Sequence, residues 1–126
     1  MMDENELSKI VVDCCYRIHV ALGPGLLESV YEHLLAYELV KQNLYIKRQQ
    51  GIPVVYEDVK MDLGFRADII VEDKLIIEVK SIEAVAPVHK KQLLTYLKLT
   101  NIKLGILVNF NEELIKTGIH RIVNNL

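Results

Sequence analysis

Apolar residues open the chain at helical spacing. Leu7, Ile10, Val11, Cys14, Cys15, Ile18 and Leu22 recur at intervals of three and four, which predicts an amphipathic helix over residues 4 to 22. Gly23-Pro24-Gly25 stops that helix, and the same spacing resumes at Leu27, Val30, Tyr31, Leu34, Leu35 and Leu39. A second helix running to about Gln42 follows. The pattern then changes. Residues 46 to 56 read as a strand interrupted at Gly51 and Pro53. From Gly64 to Lys80, two β-branched apolar runs flank the polar break Glu72-Asp73-Lys74, the signature of two strands joined by a tight turn. Pro87 suits the first turn of a third helix over residues 88 to 99. Leu104-Gly105-Ile106-Leu107-Val108 forms the middle of a further buried strand, and residues 118 to 123 add an edge strand.

The predicted order is α-α-β-β-β-α-β-(β). Three antiparallel strands, a crossover helix and a returning strand make a mixed sheet, and helices on its faces complete an α/β layered domain. The run from Leu75 to Val79 is apolar on both faces, so it is expected at the centre of the sheet. Gly64 is expected to mark a bulge or a close approach of backbones. One domain spanning residues 1–126 suits a chain of 126 residues.

Hairpin arithmetic gives the first chemical signal. Asp68 and Glu78 are equally distant from Asp73, so a turn centred there sets them opposite each other. Directly opposed residues have Cβ atoms about 5 Å apart and share a face. Lys80, two residues past Glu78, falls on the same face by alternation. Two carboxylates and an ammonium thus converge beside Ile70 and Ile76. Like charges that close repel unless a cation separates them, and a bound divalent metal resolves the conflict. The alternative is a set of strand-end charges that simply face water.

Two helices offer partners for this group. Glu28 and Tyr31 share a helix face at i, i+3, on the stripe expected to meet the sheet. A carboxylate there needs a partner or a metal, unless Glu28 only favours the positive helix N-terminus. Gln92 and Tyr96 lie four apart on the third helix and either border the site or form a solvent-facing stripe. His89, beside two lysines, reads as exposed.

Composition narrows the alternatives. A hydrophobic content of 51% with 25% charged residues is that of an ordinary soluble protein. No apolar stretch approaches the roughly 20 residues of a bilayer span, so no membrane partner is expected. The acidic start Met1-Met2-Asp3-Glu4-Asn5-Glu6 lacks the features of a signal peptide, and cytoplasmic residence is the expectation. Adjacent Cys14 and Cys15 point about 100° apart on a helix and read as reduced packing residues. His19, His33, His89 and His120 show no ligand spacing, and neither a phosphate loop nor a nucleophile elbow appears. Net charge is −2, with acids concentrated before residue 39 and Lys80, Lys90, Lys91, Lys98 and Lys103 facing Glu83 alone further on. That basic stretch either meets phosphates or is a solvated surface.

Taken together, Asp68 with Glu78-Val79-Lys80 inside an αβββαβ pattern resembles the PD-(D/E)XK nuclease superfamily. Gln92-Leu93-Leu94-Thr95-Tyr96 resembles the Q-x-x-x-Y motif of its exonuclease-type branches. Gly25-Leu26-Leu27-Glu28-Ser29-Val30-Tyr31 is similar to the signature of the small GxxExxY proteins, one of its branches. Ala67 stands where the superfamily's name has proline. The resemblance implies a restriction-endonuclease-like αβββαβ core with an extra N-terminal helix, and a Mg²⁺- or Mn²⁺-dependent hydrolysis of DNA phosphodiester bonds, with RNA also open. It implies Asp68, Glu78, the Val79 carbonyl and the helix carboxylate Glu28 as metal ligands. Lys80 would orient or activate water or offset phosphate charge, with Tyr31, Gln92 and Tyr96 in support. The alternative it leaves is a non-catalytic module of the same fold that binds nucleic acid or protein. Dimerisation, frequent in the superfamily, is open through the exposed last strand, as is a partner protein.

Overall fold

A computed structural model describes residues 1–126. Helix α1 (Glu4–Leu22) starts where Asp3 and Glu6 cap each other's backbone, and ends at Gly23, whose positive φ of 69° suits glycine. Helix α2 (Glu28–Lys41) follows after a five-residue turn, Gly23 to Leu27. The strands are β1 (Ile46–Tyr56), β2 (Val59–Val71), β3 (Leu75–Lys80), β4 (Leu104–Asn109) and β5 (Ile119–Val123). Between them lie α3 (Pro87–Thr100) and a single helical turn, α4 (Ile115–Gly118). The α-α-β-β-β-α-β-β order expected from the pattern is present, with α4 added. No helix is long and apolar enough to cross a membrane.

The five strands lie in the order β1-β2-β3-β4-β5. All neighbours are antiparallel except β3 and β4, which are parallel and joined through α3. β3 is central, as its two-sided apolar run requires, and all of its residues except Lys80 are buried. Alternation divides its side chains between two cores. Ile69, Val71, Leu75, Ile77 and Val79 join α1 and α2 through Leu7, Val11, Tyr31 and Leu35. Ile70, Ile76 and Leu107 face the other way, onto Leu93, Tyr96 and Leu97 of α3. Both cysteines are buried in the first core and unpaired, and burial pushes their thiols up from the usual range.

β1 and β2 form the long arm of the sheet. Their register shifts between Ile52 and Val54, around Pro53, which an edge strand tolerates at a bulge. Gly64 lies where this shift brings β1 close. A Cβ there would run into the side chain of Val54, so the close approach expected from the sequence is real. The start of β2 is not visible in the pattern, because Val59 to Leu63 pairs only with the exposed end of β1.

Candidate nuclease site

The β2–β3 turn is built as the hairpin arithmetic required. Val71 pairs with Leu75, Ile70 with Ile76 and Ile69 with Ile77, and there the ladder stops. The next position along each strand holds Asp68 and Glu78. The two acids replace ladder bonds with side-chain bonds. Val79 N–H donates to Asp68 Oδ2 at 2.8 Å, and Asp68 N–H donates to Glu78 Oε1 at 3.4 Å. An extended residue turns its N–H and C=O toward the same neighbouring strand. The Val79 carbonyl therefore faces the Asp68 side as well.

Glu78 is buried, and its carboxyl is pushed up to about 8. Burial is the main cause and the neighbouring Asp68 charge the second, while Lys80 opposes both. Lys80 is half-buried and enters none of the four ion pairs of the structure, so its ammonium is uncommitted. A carboxylate held against another with no cation in contact is a donor set that fits a hard divalent ion.

The α3 side of the group is closed by an aromatic pair. Tyr96 is buried, and its ring stacks on Phe65 with centroids 3.5 Å apart and planes 10° from parallel. Burial raises the Tyr96 hydroxyl pKa, and the charges of Glu78 and Asp68 raise it further, so the phenol lies within their field. Gln92 is exposed on the same helix, one turn before Tyr96. Tyr96 thus lies near the two acids, and Gln92 lies on the exposed surface of α3. His89 is occupied locally: its Nδ1 accepts from Ala86 N–H at 2.9 Å and caps the start of α3.

Of the pair at i, i+3, Tyr31 lies on the stripe of α2 that faces the sheet and Glu28 does not. Glu28 is exposed at the first position of α2, and its Oε2 accepts from Ser81 N–H at 3.3 Å. It therefore meets the chain just past Lys80. No group of three Asp, Glu, His or Cys side chains able to hold a metal ion forms here or elsewhere. The stripe that faces the sheet passes Glu28 by, because Tyr31, Glu32, Leu35, Ala36 and Leu39 are the buried positions. Tyr31 is fully buried, stacked on Phe110 at 4.4 Å. Its hydroxyl donates to Gly23 O at 2.6 Å and accepts from Leu26 N–H at 3.2 Å, fixing the turn before α2.

Three polar residues that the pattern did not single out complete the surroundings. Glu32 is buried and receives Arg48 through Nε at 3.3 Å and a terminal nitrogen at 3.1 Å. Gln49 Nε2 donates to Glu32 Oε1 at 2.7 Å and to Asp68 Oδ1 at 3.2 Å. Asn109, wholly buried beside Lys80 in the β3–β4 register, binds Ile82 N–H at 3.1 Å and Ile82 O at 3.0 Å. A polar side chain at the end of the apolar run Leu104 to Val108 was the available signal for Asn109. For Gln49 there was none.

The larger of two clefts, of about 530 Å³, lies past the end of β3 on the α2 side and is lined by neither Asp68 nor Glu78. It is lined by Gly25 to Ser29 together with Ser81 and Asn111, and Ser81 Oγ donates to Leu26 O across it. Of the residues around the acids only Ser81, the residue after Lys80 at the end of β3, lines this cleft.

The family model of the PD-(D/E)XK nuclease superfamily matches residues 5–122. The chain belongs to that superfamily. No curated protein and no solved structure matches it.

Proposed function

We propose that this member of the PD-(D/E)XK nuclease superfamily is a divalent-metal-dependent nuclease that hydrolyses DNA phosphodiester bonds, and that it belongs to the GxxExxY branch through Gly25, Glu28 and Tyr31. The observation that carries this reading is the pairing of Asp68 with a buried Glu78 whose carboxyl is pushed up to about 8, with an uncommitted Lys80 one alternation further on. Buried like charges are costly, and a fold keeps them where a cation is to be bound.

Asp68, Glu78 and the Val79 carbonyl would hold the ion, Mg²⁺ or Mn²⁺ by their oxygen chemistry. When bound, it supplies Lewis-acid stabilisation of the phosphate and acidifies water. Lys80 offsets the negative charge that develops as water adds to phosphorus and the bond to the leaving oxygen breaks. Tyr96 and Phe65 keep bulk water from the α3 side of the acids. Glu28 holds the backbone at Ser81 and so fixes the end of the strand that carries Lys80. The nucleic-acid backbone would enter along the cleft at Ser81, with Lys90 and Lys91 at the start of α3 available to phosphates.

The test is cleavage of supercoiled and linear DNA with Mg²⁺, Mn²⁺ or EDTA. Cleavage is expected only with metal, and Asp68→Ala and Lys80→Ala should each lower its rate about 100-fold or more. Cleavage by either variant at the wild-type rate refutes the assignment. Metal-independent DNA binding without turnover would instead identify a binding module built on the same fold.

A further inference from the structure

We infer that Gln49 is a positioning residue for the metal-binding carboxylate of Asp68, and that Glu32 on α2 acts on that carboxylate through it. This inference rests on the metal site proposed above.

Its basis is a break in strand alternation. Successive side chains of a strand point to opposite faces, so Arg48 and Gln49 would ordinarily diverge. Gln49 has a φ of 50°, in the left-handed region that a non-glycine residue rarely occupies. Its neighbours keep the ladder, with Arg48 opposite Ile69 and Gln50 opposite Ala67. The result is that two consecutive side chains reach one carboxylate. Arg48 takes Glu32 Oε2 at 3.1 Å and Gln49 takes Glu32 Oε1 at 2.7 Å.

The same amide nitrogen of Gln49 also donates to Asp68 Oδ1 at 3.2 Å. An amide NH₂ has two hydrogens, and here each has an acid to bind. Asp68 is thereby held at both oxygens, Oδ1 by Gln49 and Oδ2 by Val79 N–H at 2.8 Å. Glu32 is buried and anchored by Arg48, so it is a fixed point from which the amide is aimed. Strain of this kind persists where the surrounding contacts over-determine it, and it gathers at sites that need a side chain held in one place. A partner that orients a metal ligand in this way typically contributes 10- to 100-fold to metal affinity.

The backbone geometry supplies a discriminating pair of variants. Gln49→Gly removes the amide and relieves the left-handed strain, whereas Gln49→Ala removes the amide and keeps the strain. Mn²⁺ binding by calorimetry and thermal unfolding would be measured for both, with wild type and Glu78→Ala alongside. Both Gln49 variants should bind Mn²⁺ about tenfold or more weakly. Only Gln49→Ala should unfold at a clearly lower temperature. Wild-type Mn²⁺ affinity in Gln49→Gly, with Glu78→Ala unable to bind, overturns the role of Gln49 and leaves the metal site standing. Equal binding by wild type and Glu78→Ala, or none by wild type, overturns the metal site and this inference with it.

Discussion

Replacing Glu78 by glutamine should remove the pH dependence of stability that arises at this site. The Glu78 carboxyl has an ordinary value of 4.5 and is pushed to about 8 in the fold by burial and by Asp68. Below the lower value both folded and unfolded chains carry the proton, and the group is neutral in each. As pH rises, the unfolded chain releases its proton first, while the folded chain holds it until the higher value is passed. Folding is therefore progressively disfavoured across the window between 4.5 and about 8, and the slope vanishes above it. Each pH unit between the two values corresponds to about 1.4 kcal/mol, which sets a ceiling of about 5 kcal/mol for the whole window. Relaxation and water entry at the open strand end reduce this to about 2–3 kcal/mol. Glutamine has the same shape, retains a carbonyl to accept from Asp68 N–H, and has no proton to lose. In EDTA, wild type and Glu78→Gln should have similar melting temperatures near pH 5. By about pH 9 the variant should be higher by roughly 10 °C, taking a few degrees per kcal/mol for a domain of this size. The comparison isolates Glu78, because His120, whose pKa burial lowers, titrates alike in both proteins. A difference curve that stays flat from about pH 5 to pH 9 refutes the buried-acid argument.

Other consequences can be checked separately. Mn²⁺ must displace the Glu78 proton, so apparent affinity should rise about tenfold per pH unit from pH 6 toward 8 and then level; affinity independent of pH in calorimetry would contradict this. Tyr31→Phe leaves the Gly23 carbonyl without its hydroxyl donor and the Leu26 N–H without its acceptor, and should cost about 1–3 kcal/mol in denaturant unfolding. Gly105→Ala sets a methyl 2.9 Å from Leu93 Cγ in the α3 core, an overpacking expected to cost about 1–3 kcal/mol, and an unchanged unfolding midpoint would show that α3 yields there.

Period and spacing in the sequence determined the elements other than α4 and the start of β2, the central place of β3, and the meeting of Asp68 with Glu78. Each of these depends on a repeat of two or of three and four, or on equal distances from a turn, and such quantities are local. The same logic misjudged Glu28. A helix face read from spacing has no fixed phase relative to the sheet, and packing of Tyr31, Leu35 and Leu39 turned Glu32 inward in its place. Only the tertiary structure decided that Glu32 and Asp68, far apart in the chain, share one amide. That depends on a single left-handed φ at Gln49, which no periodic pattern encodes because it is the point where the period fails. The position of the cleft likewise arises from the packing of the turn before α2 against the end of β3, elements whose contact is set by the cores on either side of the sheet and not by the residues that line it.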